Sequence, residues 1–179
     1  MIRRKNSMAV WQWGVWMVPR ESILKRFERI PEYIDQDWFE SVNWWAETDD
    51  EQIREFFDRI LPRYYAPWAE YTEIWGDIDS DDVSLHVRDS IVADISIRVD
   101  LRHLNVEFLK ALVNFARERS FVFVSYEFGR FISPSLRQML DEINNSKKML
   151  FIKNPSEFFK QSRYLEEINK KNREKTKSE

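Results

Sequence analysis

Three acidic residues come closest to a reactive arrangement in this chain. Asp94 and Asp100 lie on one face of a run that reads as a β-strand, and Glu127 lies on another such run. Converging carboxylates of this kind hold divalent metals for phosphodiester hydrolysis. Here an arginine sits near each aspartate, Arg98 and Arg102, so a row of ion pairs is the competing reading. The sequence 77–82, DIDSDD, alternates carboxylates as a calcium loop does. Such a loop needs glycine at its sixth position and glutamate at its twelfth. Counting from Asp77, those positions are Asp82 and Arg88, so the pattern fails and the segment reads as an acidic turn.

Other chemistries lack their parts. The chain of 179 residues has no cysteine, which removes disulfides, thiolate metal sites and a cysteine nucleophile and suits a reducing compartment. Its two histidines, His86 and His103, stand in no triad setting, and no G-x-S-x-G turn occurs. With only Gly14, Gly76 and Gly129, a glycine-rich phosphate loop is excluded. No cofactor is expected.

What the sequence does carry is a charge split. Residues 30–87 hold sixteen Asp or Glu against Arg54, Arg59 and Arg63, while the rest holds fifteen acids against twenty-five bases. The acidic block also contains Trp38, Trp44, Trp45, Trp68, Trp75, Tyr33, Tyr64, Tyr65 and Tyr71. Acids steer a basic partner to the surface, and amphipathic rings anchor it. The competing reading is that the rings are core and the acids ordinary solvated residues. For a contact surface the expected residues are Trp44, Trp45, Asp77, Asp79, Asp81 and Asp82. The basic excess over 147–177 is interspersed with acids, so direct nucleic-acid binding is not expected.

The elements that must position these residues are legible in part. Residues 8–18 read as a strand ended by Pro19, and 20–30 as a helix. The segment 31–47 is ambiguous, with Trp44-Trp45 open between a strand and a loop. Thr48 and Glu51 have capping-box spacing, opening a helix to about Leu61. Strands are expected at 70–75 and 83–87, with Asp89-Ser90 as a turn. The clearest strand is 91–102: Ile91, Ala93, Ile95, Ile97, Val99 and Leu101 alternate with Val92, Asp94, Ser96, Arg98, Asp100 and Arg102. A helix over 106–119, a strand over 121–127 and a helix opened by Ser133-Pro134 follow. A short strand at 148–152 precedes a last helix opened by Asn154-Pro155. Strand–helix–strand over 91–127 suggests a crossover.

The expected fold is therefore α+β: one domain over 8–165, with a mixed or mainly antiparallel sheet and helices mainly on one face. Met8 offers an alternative start, leaving 1–7 as a disordered extension, and 166–179 reads as a charged tail. No stretch approaches the ~18 apolar residues that span a bilayer. No signal-peptide h-region follows Met1. A cytoplasmic protein with no membrane partner is expected.

The strand ISIRVDLR, the helix EFLKALVNFARE, the strand FVFVSYEF and the ending SKKMLFIKNPSEFF have a layout that resembles bacterial immunity proteins of polymorphic toxin and contact-dependent inhibition systems. The resemblance covers residues 91–160 and carries over no functional residue. It implies a cytoplasmic, non-enzymatic protein that binds and blocks one cognate toxin, often a nuclease. Nuclease toxins are commonly basic, which agrees with the acidic aromatic block. Two alternatives remain at this point: a metal-dependent nuclease using Asp94, Asp100 and Glu127, and an acidic nucleic-acid mimic that blocks a DNA-binding protein.

Overall fold

In a computed structural model of the chain, residues 9–45, 51–88 and 91–160 are described. They form one seven-stranded sheet in the order β2-β3-β4-β5-β1-β6-β7. Every neighbouring pair is antiparallel. The strands are β1 (Gln12–Pro19), β2 (Arg63–Tyr64), β3 (Thr72–Gly76), β4 (Asp82–Arg88), β5 (Ile91–Asp100), β6 (Phe121–Ser125) and β7 (Phe131–Ile132). The helices are α1 (Arg20–Phe27), α2 (Gln36–Ser41), α3 (Glu51–Ile60), α4 (Val106–Glu118), α5 (Leu136–Asn144) and α6 (Lys147–Lys153). A further helical stretch, α7, covers 155–160. The α+β expectation holds, and no helix among the described residues is long and apolar enough to cross a membrane.

The first strand in sequence is the middle of the sheet. All eight residues of β1 are buried, because strands flank it on both edges and side chains cover both its faces. Register places Trp13, Val15 and Met17 beside Val99, Ile97 and Ile95 on one face. On that face α3 and α4 pack: Phe57 meets Trp75 at 5.4 Å and Phe115 meets Phe121 at 5.7 Å. Phe56 and Phe115 stack at 3.9 Å and join the two helices. Apolar stripes of helical period on α3 and α4 supply this layer: Ile53, Phe56 and Phe57, then Phe108, Leu109, Leu112, Val113 and Phe115.

The opposite face is more polar. Trp16 there meets Phe39 of α2 at 4.8 Å and Tyr126 at 4.0 Å. Beyond them Ser84, Ser96, Asp82 and Arg98 line adjacent rows of β4 and β5. Helices thus lie mainly on one face, as the polar alternation of β5 implies. The crossover is present too: β5 and β6 both run antiparallel to β1, so α4 links two parallel strands with β1 between them.

Three local expectations need correction, and one open segment is resolved. Residues 148–152 are helical, within α6, because Ser146 caps that helix by accepting from the Met149 amide at 3.1 Å. An apolar run this short has no period long enough to distinguish the two states. The short late strand in the immunity-protein layout is therefore a helix here. Ser133 is not an N-cap; α5 starts after Ser135. The alternation in β5 changes phase near its start. His86 pairs with Asp94 and Val87 with Val92, leaving Ala93 as the extra residue of a β-bulge. Val92 is consequently buried, whereas Ile91 is 44% exposed. The ambiguous 31–47 segment yields α2, capped by Asp35, which accepts from the Trp38 amide at 2.9 Å. Thr48, the Asp89-Ser90 turn, residues 1–7 and the tail from 166 lie outside the described residues.

Candidate functional site

The six residues expected to form a contact surface separate into two groups. Trp44 and Trp45 are core, 2% and 0% exposed, so the expectation that they face solvent is corrected. Trp44 stacks on Phe39 at 5.2 Å and donates its indole N–H to the Phe39 carbonyl at 2.9 Å. Trp45 packs on Phe121 at 5.1 Å. These rings close the core where the chain leaves α2, and burial of their large apolar area drives them inward.

The aspartates form an ordered turn between β3 and β4. Asp77 and Asp79 are exposed, whereas Asp81 and Asp82 are buried, a second correction. Asp82 pairs with the Arg98 guanidinium, Nε to Oδ2 at 2.8 Å. Burial pushes its carboxyl up to about 6, against the opposing pull of Arg98. Asp81 accepts from the Asp100 amide at 2.7 Å, and burial raises its carboxyl as well. Gly76 permits the turn: it has φ +91°, and a Cβ there would lie 2.2 Å from the Asp81 carbonyl oxygen. The acids thus build the hairpin and do not converge on a vacant centre.

The three carboxylates of the nuclease alternative do not meet. Asp94 and Asp100 are six residues apart on one strand, roughly 20 Å. Asp94 lies 3.7 Å from His86, whose other ring nitrogen is 2.8 Å from the Thr72 hydroxyl. Asp100 is gripped by Arg102 through Nε at 2.9 Å and Nη2 at 2.8 Å, which holds its carboxyl below the ordinary range. Glu127 accepts from the Lys147 amide at 2.8 Å. Among the described residues no group of three His, Asp or Glu is placed to hold a metal. The arrangement that this alternative requires is absent, and the ion-pair reading accounts for Asp100.

A different cluster emerges at the sheet edge. The end of β2 and the segment joining it to β3 expose four large rings within eight residues: Tyr64 (36%), Tyr65 (87%), Trp68 (55%) and Tyr71 (68%). Exposed apolar rings in such density mark interaction surfaces more often than chance placement. They belong to the acidic block, but the contact set expected from sequence omitted them. A partial signal was present: Pro62 and Pro67 break the chain around Tyr64 and Tyr65.

The base of this hairpin is held rigidly. Arg63 grips Asp58 with Nε at 2.6 Å and Nη2 at 3.1 Å, and reaches Glu73 with Nη1 at 3.0 Å. Its guanidinium lies 4.8 Å over the Trp75 ring, while the Trp75 indole donates to Asp58 at 2.7 Å. These donors from Arg63 and Trp75 hold the Asp58 carboxyl below its usual value. Arg54 adds a second contact to Glu73 at 2.7 Å. Within the loop, the Ala69 amide donates to Ala66 at 3.0 Å and the Thr72 amide to Ala69 at 3.3 Å. The Glu70 carboxylate beside the Tyr71 hydroxyl raises that phenol.

A shallow groove of about 460 Å³ runs between α3 and α4, with Glu51, Glu55 and Glu118 facing Arg59 and Arg119 over Phe115. Its charges are mixed and it contains no nucleophile. No known protein family, curated protein or solved structure matches this chain.

Proposed function

We propose that the chain is a non-enzymatic binding protein that neutralises a basic protein partner, a nuclease-type toxin, in the manner of an immunity protein in the cytoplasm. The observation that carries this reading is the cluster of four exposed rings, Tyr64, Tyr65, Trp68 and Tyr71, within the acidic block of the chain. The strands β2, β3 and β4 lie side by side, so residues 63–88 of the acidic block gather at one edge of the sheet, while its first part, around Tyr33, lies beside Arg130 at the other. An acidic surface accelerates encounter with a basic protein, and exposed Tyr and Trp supply the contact area that retains it. The scattered carboxylates argue against the metal-dependent alternative.

Affinity capture tests the reading. The tagged chain is mixed with lysate of its native host and washed at low and high salt, and the retained proteins are identified. One stoichiometric basic partner whose retention weakens with salt supports it; no retained partner at either salt refutes it. Reversing the two exposed turn acids, Asp77→Lys with Asp79→Lys, should slow association and flatten its salt dependence. Unchanged kinetics would remove the turn from the contact surface.

A further inference from the structure

We infer that the groove between α3 and α4 is a self-association surface, which pairs with the same groove of a second copy of the chain about a two-fold axis. The inference goes beyond the binding-protein reading and does not depend on it.

The first observation is which charges on the two helices are left over. Arg54 and Asp58 of α3 are engaged by Glu73 and Arg63. On α4, Glu107 and Lys110 pair at 2.7 Å, and Arg117 donates to the Pro134 carbonyl at 3.1 Å. Glu55, Arg59, Glu118 and Arg119 form no ion pair or side-chain hydrogen bond among the described residues. All four are exposed, and all four line the one groove. Two are acidic and two basic, so their charges sum to zero.

That balance selects the occupant. A basic protein would gain from Glu55 and Glu118 but would also meet Arg59 and Arg119. A nucleic acid would be drawn to the arginines and repelled by the glutamates. Both signs in equal number fit a surface that presents the same signs in reversed order. A second copy of the groove is such a surface, because an interface about a two-fold axis must be self-complementary.

The helix supplies the reversal. Glu55 and Arg59 stand one turn apart on α3, about 6 Å along its axis. A two-fold axis perpendicular to α3 at the level of residue 57 lays the two copies of the helix antiparallel. It sets Glu55 opposite Arg59 of the second copy, and Arg59 opposite the second copy's Glu55. Glu118 and Arg119, at the end of α4, offer the same two signs beside them. Phe115 floors the groove, buried and stacked on Phe56 at 3.9 Å, so the surface beneath the charges is fixed. Each cross-pair competes with the Glu55–Arg59 pair that this spacing permits within one helix. The contact is also confined to two helix faces, at the small end of specific interfaces. Association is therefore weak and reversible, and salt reduces it.

Sedimentation equilibrium of the full chain over a concentration series, at low and high salt, tests this. Wild type should form a dimer whose dissociation constant rises with salt. One variant, Glu55→Arg with Glu118→Arg, leaves only cations among the four positions; a second, Arg59→Glu with Arg119→Glu, leaves only anions. Each alone should dimerise at least about 10-fold more weakly than wild type, since like charges then face one another. An equimolar mixture of the two should recover a dimer that contains one copy of each. Arg137→Glu with Lys153→Glu, at exposed positions on α5 and α6, changes net charge as much as the second variant and should leave association unaltered.

A wild-type chain that stays monomeric at low salt up to its solubility limit overturns the inference. So does a dimer that persists unchanged in both groove variants, which places the interface elsewhere. Loss of the dimer in both variants without recovery in the mixture also overturns it, because the groove then meets a different surface of the second copy. Equal loss in the α5–α6 variant would make association a matter of net charge alone. All the substituted positions are exposed, and a melting curve for each variant separates lost pairing from lost folding.

Discussion

Two groups of aromatic residues lie in the acidic block and meet opposite fates. Trp38, Phe39, Trp44 and Trp45 follow α1, and three of those four rings are buried. Tyr64, Tyr65, Trp68 and Tyr71 join β2 to β3, and all four are exposed. Their compositions are alike, and both are surrounded by acids. The difference lies in what each segment can reach. The first runs across the end of the sheet, within contact of Trp16 and Phe121. The second joins the two outermost strands, β2 and β3, and its rings stay at the surface. Ring burial is thus a property of position in the sheet, which composition does not encode.

The largest expected effect tests the buried half of that contrast. Trp45→Ala should destabilise the fold by about 3–5 kcal/mol, measured by urea denaturation, since it leaves a cavity against Phe121. A cost below ~1 kcal/mol would mean that Trp45 does not close the core.

The same contrast runs through the acids and gives the next effect. Asp82 is buried with its pKa raised to about 6, whereas Asp79 in the same turn is exposed. A carboxyl raised in the folded state binds its proton more readily there than in the unfolded chain. Its contribution to stability therefore grows as pH falls from 7 toward ~4, by up to about 3 kcal/mol. Asp81, Asp94 and Glu127, all raised mainly by burial, act in the same direction. Asp58 and Asp100 are lowered, so their contribution is present above the ordinary carboxylate range and disappears as pH falls below it. Thermal melting should show a stability maximum on the acid side of neutrality. Asp82→Asn should flatten the rise between pH 7 and 4, and Asp79→Asn should leave it intact. Equal profiles for the two variants would erase the distinction.

A smaller effect addresses the clamp. Arg63→Met keeps the aliphatic stem over Trp75 but removes the donors to Asp58 and Glu73. It should cost on the order of 1 kcal/mol and speed amide exchange across 64–72. Unchanged exchange would show that the rings are held by the loop itself. The smallest effect completes the comparison: Tyr65→Ala should change stability by no more than ~0.5 kcal/mol. A larger loss would give Tyr65 a structural role.

The sequence exposes some of this fold directly. The alternation of Ile95, Ile97 and Val99 and the helical stripe through Leu109, Leu112 and Val113 each persist over enough residues to define a period. Where the signal is short or interrupted, it misleads. Lys148–Ile152 is too brief to choose a state, and the bulge at Ala93 flips the faces of Ile91 and Val92. The acidic aromatic region was visible from residue types alone. Which members face solvent was not, because Trp44 and Trp68 differ only in the neighbours that distant parts of the chain bring to them.

The central position of β1 has a consequence for synthesis. Its pairing partners are β5, ending at Asp100, and β6, ending at Ser125. At roughly 5–20 residues per second, an apolar strand with two tryptophans, Trp13 and Trp16, emerges several seconds before either partner exists. Without it, β2–β5 and β6–β7 share no edge. The sheet thus cannot be completed stepwise from the N-terminus. Its first strand must wait for most of the chain, which leaves that strand exposed to other nascent chains or to a chaperone until β6 arrives.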